Sequence, residues 1–270
     1  MINRLRRFFV IVSTACGLLA CASPEQSAPS GRSARATASP AAPIPDPSAR
    51  FSRSVNCNAQ PEPGQPQYIV GYGSLMQDES RKRTSPQAGP AYPVEVSGYR
   101  RGWFEAGTPA GFSTTFLGAL PDPRSHLNAV IYRVEASELK ATDQREASYC
   151  RKSVPASDLT MLTKAQFDPR DGQTWIYASR PELVVAPSAR FPIVKSYVDI
   201  FLSGCIEQEQ RFELHGFAQK CLTSTHDWSE HWVNDRLYPR RPFIFQPRSR
   251  EIDLLLHQQL AEYVSRIKIE

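Results

Sequence analysis

From residue 67 onward, apolar side chains recur first at a period of two and later at a period of three to four, so strands are predicted before helices. Strands are predicted over Tyr68–Gly71, Val94–Phe104, Ser113–Leu120, Ala129–Val134 and Thr174–Ala178, with proline and glycine turns between them. Short strands at this spacing suit a small barrel or a curled sheet. Ser137 is placed to cap a short helix with Glu138 in its first turn, and this helix delivers Asp143, Arg145 and Glu146. A longer amphipathic helix follows at Val194, Tyr197, Val198, Phe201, Leu202 and Cys205, and a last one at Ile252, Leu256, Leu260, Tyr263 and Ile267. The expected class is α+β, with one core in a domain over 67–206 and residues 207–270 as its helical C-terminal extension.

The pattern before residue 67 is different. Arg4, Arg6 and Arg7 precede an apolar run from Phe8 to Ala20, too short for a spanning helix and shaped like an export signal over 1–20. Leu18-Leu19-Ala20-Cys21 resembles the bacterial lipobox, which implies lipidation of Cys21, a membrane anchor through it, and a place in the bacterial cell envelope. Ala22 stands where an aspartate would, by resemblance to enterobacterial lipoproteins, retain the chain at the inner membrane, so the periplasmic face of the outer membrane is expected. The alternative is a plain secretory signal cut near Ala20 or Ala22. Residues 21–66 are rich in Ala, Pro, Ser and Arg, carry too little apolar surface to offset ordering, and read as a tether.

Charge follows the same division. Through Gln67, seven arginines face three acids, a net of +4, which leaves about +1 of the chain's +5 for the domain. A near-neutral domain without a basic helix is a poor nucleic-acid binder, and no such partner is expected. Cys16 lies in the signal, leaving Cys57, Cys150, Cys205 and Cys221 for two disulfides of three possible connectivities. Cys205 and Cys221, close in sequence, are expected to pair, leaving Cys57 for Cys150. No Cys/His cluster has zinc spacing, and neither a metal nor another cofactor is called for. His226 and His231 lie beside Trp228 and Trp232, and a helix surface packed with aromatics explains them better than ligation.

Candidate chemistry begins at Tyr68–Met76, YIVGYGSLM, an apolar strand entering a glycine turn. Bare amides in such a loop can hold a carboxylate or an oxyanion. The dinucleotide motif does not fit, because Met76 occupies its third glycine position, and there is no GxSxG elbow around Ser74, which Leu75 follows. YGSL, followed by VSGYRRGWF (Val96–Phe104) and DQREASY (Asp143–Tyr149), resembles the γ-glutamylcyclotransferase family in order and spacing, over Tyr68 to about Val154. Phe191–Cys205 is similar to that family's helix with a tyrosine ahead of a glycine, while Thr142 departs from its usual leucine.

The resemblance implies a small mixed β-barrel flanked by helices, with a pocket at the end of the first strand. It implies that Glu146 is the catalytic carboxylate, that Tyr72, Gly73, Ser74 and Leu75 receive the γ-glutamyl end, and that Tyr197 hydrogen-bonds the substrate. Asp143 and Arg145 would be scaffold. From the residues alone, Glu146 in a charged run reads as a solvated ion pair with Arg145 or Arg151 rather than as a base, and Tyr197, like Tyr149, stays open between core and site. The implied activity is cyclisation of a small-molecule γ-glutamyl peptide or amide, glutathione included, releasing 5-oxoproline. The alternatives are a γ-glutamyl-amine cyclotransferase and a catalytically idle domain that binds a γ-glutamyl or small acidic ligand. The leaving-group side of the pocket is expected from Ala106–Gly111 and the C-terminal region.

Overall fold

A computed structural model describes residues 57–107, 112–241 and 248–270. The signal segment, Cys21, the tether to residue 56 and the 108–111 part of the expected leaving-group loop lie outside the described residues. The strands are β1 (Gln67–Gly71), β2 (Tyr92–Gly107), β3 (Thr114–Val134), β4 (Cys150–Ser153), β5 (Leu159–Met161), β6 (Gln173–Ala178), β7 (Ile193–Val194), β8 (Thr225–His226), β9 (Trp232–Asn234) and β10 (Lys268–Ile269). The helices are α1 (Asp78–Lys82), α2 (Ala136–Arg145), α3 (Lys195–Phe212), α4 (Phe217–Thr223), α5 (Ser249–Gln259) and α6 (Ala261–Val264).

All of these strands join one mixed sheet, and the class is α+β. β1 is buried along its whole length, antiparallel to β3 and parallel to β6. The long β2–β3 hairpin is the spine: β5 and β8 add to the outer edge of β2, while β1 and β7 add to β3. No ladder among the described residues closes the sheet.

Alternation along β1 explains why it is central. Ile69 faces a core shared with Val130, Tyr132, Trp175 and α3, while Tyr68 and Val70 face a second core with Val94, Ile131 and Ile176. A strand buried on both faces requires such a continuous apolar run. The first face is covered by α3, α4 and α5, and the second packs within the curled sheet, as β1, β2, β3 and β6 all contribute to it.

Several boundaries differ from the sequence expectation. Two predicted strands, Ser113–Leu120 and Ala129–Val134, are one strand, β3, which runs through Pro121 and Pro123. Proline is tolerated there because β2 shifts register between Ser97 and Tyr99, at Gly98 with φ +84°, and Pro121 pairs with Tyr99 at that irregularity. Helix α2 starts two residues earlier than a Ser137 cap would place it: Glu135 caps it in a box with Glu138, and Glu146 is its C-cap. The predicted last helix breaks after Gln259, and Ile267 falls beyond α6, ahead of the edge strand β10. His226 and His231 are not on a helix: His226 is in β8 and His231 precedes β9, with the neighbouring indoles of Trp228 and Trp232 stacked at 5.3 Å.

The cysteines pair Cys57–Cys150 and Cys205–Cys221, the connectivity expected from spacing. The second bridge joins α3 to α4. Residues beyond 207 also add β8, β9 and β10 to the same sheet. A partly buried ionic cluster pins this region down: Lys195 reaches Asp199 at 2.6 Å and Asp253 at 2.9 Å, and Arg236 bridges the same two carboxylates. Such a cluster orients segments more than it stabilises them, because desolvation offsets much of the Coulomb attraction.

Candidate active site

The chain leaves β1 at Gly71 and turns into a single 3-10 turn over Ser74–Met76. The turn is short because Met76 N–H closes onto the Gly73 carbonyl at 3.0 Å. Gly73 has no room for a side chain, since a Cβ there would stand 2.9 Å from the Tyr197 hydroxyl. Of the four loop residues, Tyr72 donates its hydroxyl to the Tyr177 carbonyl, and Leu75 joins the α3-facing core. Ser74 alone of the four lines a cavity of about 220 Å³.

That cavity is bounded by Glu105, Phe116, Arg145, Glu146, Tyr149, Tyr197 and Arg241 among others. A smaller lobe of about 30 Å³ lies under the loop, lined by Tyr72, Gly73, Leu75, Leu117 and Tyr177. Ser74, Glu146, Tyr149 and Tyr197 line both lobes and so mark their junction. Of the predicted catalytic and substrate residues, Ser74, Glu146 and Tyr197 line both lobes, while Tyr72, Gly73 and Leu75 line only the smaller one.

Glu146 reaches this junction because α2 ends there. Its side chain is 16% exposed, and Arg145 Nε lies 3.2 Å from its Oε1. Burial raises its carboxyl above the ordinary glutamate value, while the Arg145 and Arg241 charges pull the other way. The direction suits a group that must accept a proton and return it near neutrality. The ion pair with Arg145 is therefore present and partly shielded from water. The pair with Arg151 is not formed, because Arg151 is taken by Asp143 at 2.9 Å.

Arg145 and Asp143 act on the frame. Arg145 donates to Ser74 Oγ, Ser80 Oγ and Thr84 Oγ1, each at 3.0 Å, and to the Ser80 carbonyl at 2.7 Å, so one guanidinium ties the loop, α1 and the end of α2 together. Asp143 accepts from Arg151 and from the Tyr177 hydroxyl at 2.7 Å.

Tyr197 is both core and site. Its ring packs edge-on against Phe116 at 5.0 Å and Trp103 at 5.9 Å, and its hydroxyl sits in the glycine turn, hydrogen-bonded by the Ser74 and Leu117 backbone. The hydroxyl therefore already occupies an amide that the sequence suggests for a substrate oxygen. Burial first, then the nearby Glu146 charge, pushes its pKa up to about 12, so it remains a proton donor. Tyr149 donates its hydroxyl to the Leu117 carbonyl at 2.9 Å beside it.

Beneath the loop, Arg101 of the VSGYRRGWF block is wholly buried. It donates to the carbonyls of Tyr72, Asn128 and Cys221, to Asn128 Oδ1, Ser224 Oγ and Thr225 Oγ1, and stacks on Phe201. Burial lowers its pKa to about 9.

Three cavity residues have no motif to announce them. Glu105 is a buried carboxylate of β2, Phe116 belongs to β3, and Arg241 lies more than ninety residues beyond Glu146. Among the described residues no group of three His, Cys, Asp or Glu side chains could hold a metal ion.

No protein-family model matches the chain, and no curated protein does. Solved structures similar to it include one described as a γ-glutamyl cyclotransferase, 13% identical over 61% of this chain and 92% of that one, with a TM-score of 0.46. An uncharacterised human protein is 13% identical over the same shares, with a TM-score of 0.47. A yeast γ-glutamyl cyclotransferase described as specific to glutathione is 12% identical, covering 74% of this chain and 97% of its own, with a TM-score of 0.38.

Proposed function

We propose that this protein is a γ-glutamylcyclotransferase that uses Glu146 as its proton carrier. One observation carries the proposal: a carboxylate with a raised pKa stands where the two cavity lobes meet, beside the Tyr72–Leu75 loop and the Tyr197 hydroxyl. The three sequence blocks that resemble the family supply these same residues.

The reaction needs no nucleophile from the protein. Glu146 takes a proton from the substrate's α-ammonium, the freed amine nitrogen bonds to the γ-carbonyl carbon, and the bond from that carbon to the leaving nitrogen breaks. The ring nitrogen gives up a second proton on the way to the lactam, and Glu146 passes the two protons in turn to the leaving nitrogen, so the products are 5-oxoproline and a protonated amine with no water consumed. Such proton transfer contributes about 10²- to 10⁴-fold. The Tyr197 hydroxyl, held by two backbone groups, is the donor for the carbonyl oxygen as charge develops on it. Holding amine and carbonyl together in a cavity of about 220 Å³ supplies the proximity part of the acceleration.

The experiment is release of 5-oxoproline from glutathione, γ-glutamyl dipeptides and γ-glutamyl-amines by a soluble chain that retains Cys57, with Glu146→Gln beside it. Product that disappears in the variant supports the assignment. No product from a folded protein that still binds these compounds leaves the idle binding domain instead.

For the cellular setting we propose export and lipidation at Cys21, supported by the Leu18–Cys21 pattern. Cys21→Ser should move the protein from the membrane to the soluble fraction, and unchanged fractionation overturns the anchor.

A further inference from the structure

The cavity holds two arginines that are used very differently. Arg145 is committed, its donors spent on Ser74, Ser80, Thr84 and Glu146. Arg241 is poised: its guanidinium lies 5.5 Å from the Phe116 ring centroid, its Nε is shut off from solvent, and it has no hydrogen-bond partner or ion pair among the described residues. The Glu146 charge acts on it only from beyond ion-pair distance, so its fork is open to an anion that a ligand supplies.

The chain before it is fastened on all sides. Asp235 accepts from the Ser196 N–H at 2.7 Å, the Ser196 hydroxyl at 2.6 Å and the Arg240 N–H at 2.8 Å. Arg236 is bound to Asp199 and Asp253, and Arg240 donates to the Ser113 carbonyl and to Glu270. The other charges of this segment are spent on anchoring it, and Arg241 is the one directed into the cavity.

Arg241 lines the larger lobe and not the smaller one under the loop. With the γ-glutamyl end under the loop and the reacting atoms at Glu146, the larger lobe receives the leaving group. A guanidinium fork matches a carboxylate with two parallel hydrogen bonds. We propose that Arg241 is the receptor for the carboxylate of the leaving amino acid or peptide, which makes γ-glutamyl amino acids and peptides, rather than γ-glutamyl-amines, the preferred substrates. This rests on the cyclotransferase reading above.

γ-Glutamylalanine and γ-glutamylethylamine differ by that one carboxylate and separate the possibilities. The parent chain is expected to favour the acid in kcat/KM, and Arg241→Gln to shrink that preference by about tenfold or more, as for loss of a charged hydrogen-bond partner. Arg241→Lys should fall between and keeps the test open if the glutamine variant folds poorly. An equal loss on both compounds assigns Arg241 to the shared γ-glutamyl end or to the frame, and an unaltered ratio removes it from recognition; either overturns the proposal. Calorimetric binding of both compounds to Glu146→Gln, with and without Arg241→Gln, separates this from the reaction itself. If the parent chain releases no 5-oxoproline yet the acid binds about tenfold tighter only when Arg241 is present, the cyclotransferase reading falls and the receptor stands. Equal binding of acid and amine overturns the receptor whatever the turnover.

Discussion

Arg145 donates to the Ser74 hydroxyl at 3.0 Å while its Nε lies 3.2 Å from the Glu146 carboxylate, so the residue next to the proposed base also holds the loop that would receive the substrate. Seventy-one positions apart in the chain, these two residues fix the distance between loop and carboxylate. Arg145→Lys, which keeps the charge and loses the fork, is expected to lower kcat by about 10²-fold with a smaller effect on stability, since a small misplacement at a site costs about that much. Steady-state kinetics beside a urea titration checks it, and an unimpaired kcat would show that the tie is dispensable.

Glu146 is buried and its carboxyl is raised, so activity requires a higher pH than an exposed glutamate would. The acid limb of kcat/KM should fall above pH 4.5, the ordinary glutamate value. A limb at or below that value would contradict the burial.

The same shift has a signed effect on stability. Where the folded carboxyl holds its proton more tightly than the unfolded one, the folded state carries more protons, and stability drops as pH rises through the folded value. Glu146→Gln removes that drop. Its melting temperature relative to the parent chain should therefore be lowest below about pH 4.5 and rise toward pH 7. Melting curves across that range decide it, and a difference of the opposite slope would refute it.

Gly73 and Tyr197 share one space, since a Cβ on Gly73 would lie 2.9 Å from the tyrosine hydroxyl. Gly73→Ala should displace that hydroxyl and lower kcat, and Tyr197→Phe should lower it by about 10²- to 10³-fold, the usual effect of losing one oxyanion donor. If Tyr197→Phe keeps parental kcat, the tyrosine is core only.

Arg101 holds six acceptors without a carboxylate partner among them. Arg101→Met strands those acceptors in the interior, and roughly 3–5 kcal/mol of stability should be lost, measured by urea denaturation. A loss under about 1 kcal/mol would mean that the acceptors find other partners.

Much of this was legible along the chain because the signals are local. The Tyr68–Gly71 apolar run predicts a buried strand, the α3 stripe predicts a helix, and the spacing of four cysteines points to the pairing found. Glu146 was singled out by its motif, yet whether it forms an exposed ion pair or a shielded base depends on burial, which no neighbour in sequence reports. Proline at 121 and 123 suggested a break, and only a register shift, with residues 122–125 of β3 set against Gly98 of β2, keeps β3 continuous.

The sequence by itself therefore determined the buried first strand, the long α3 helix and the chemistry-bearing blocks, since these are written in short spacings of apolar, glycine and charged residues. Tertiary structure alone decided that the Tyr197 hydroxyl fills the glycine turn, that Arg101 supports the loop from below, and that Arg241 enters the cavity. Each of those joins residues far apart in the chain, and only packing of the whole core brings them within hydrogen-bonding or Coulomb range.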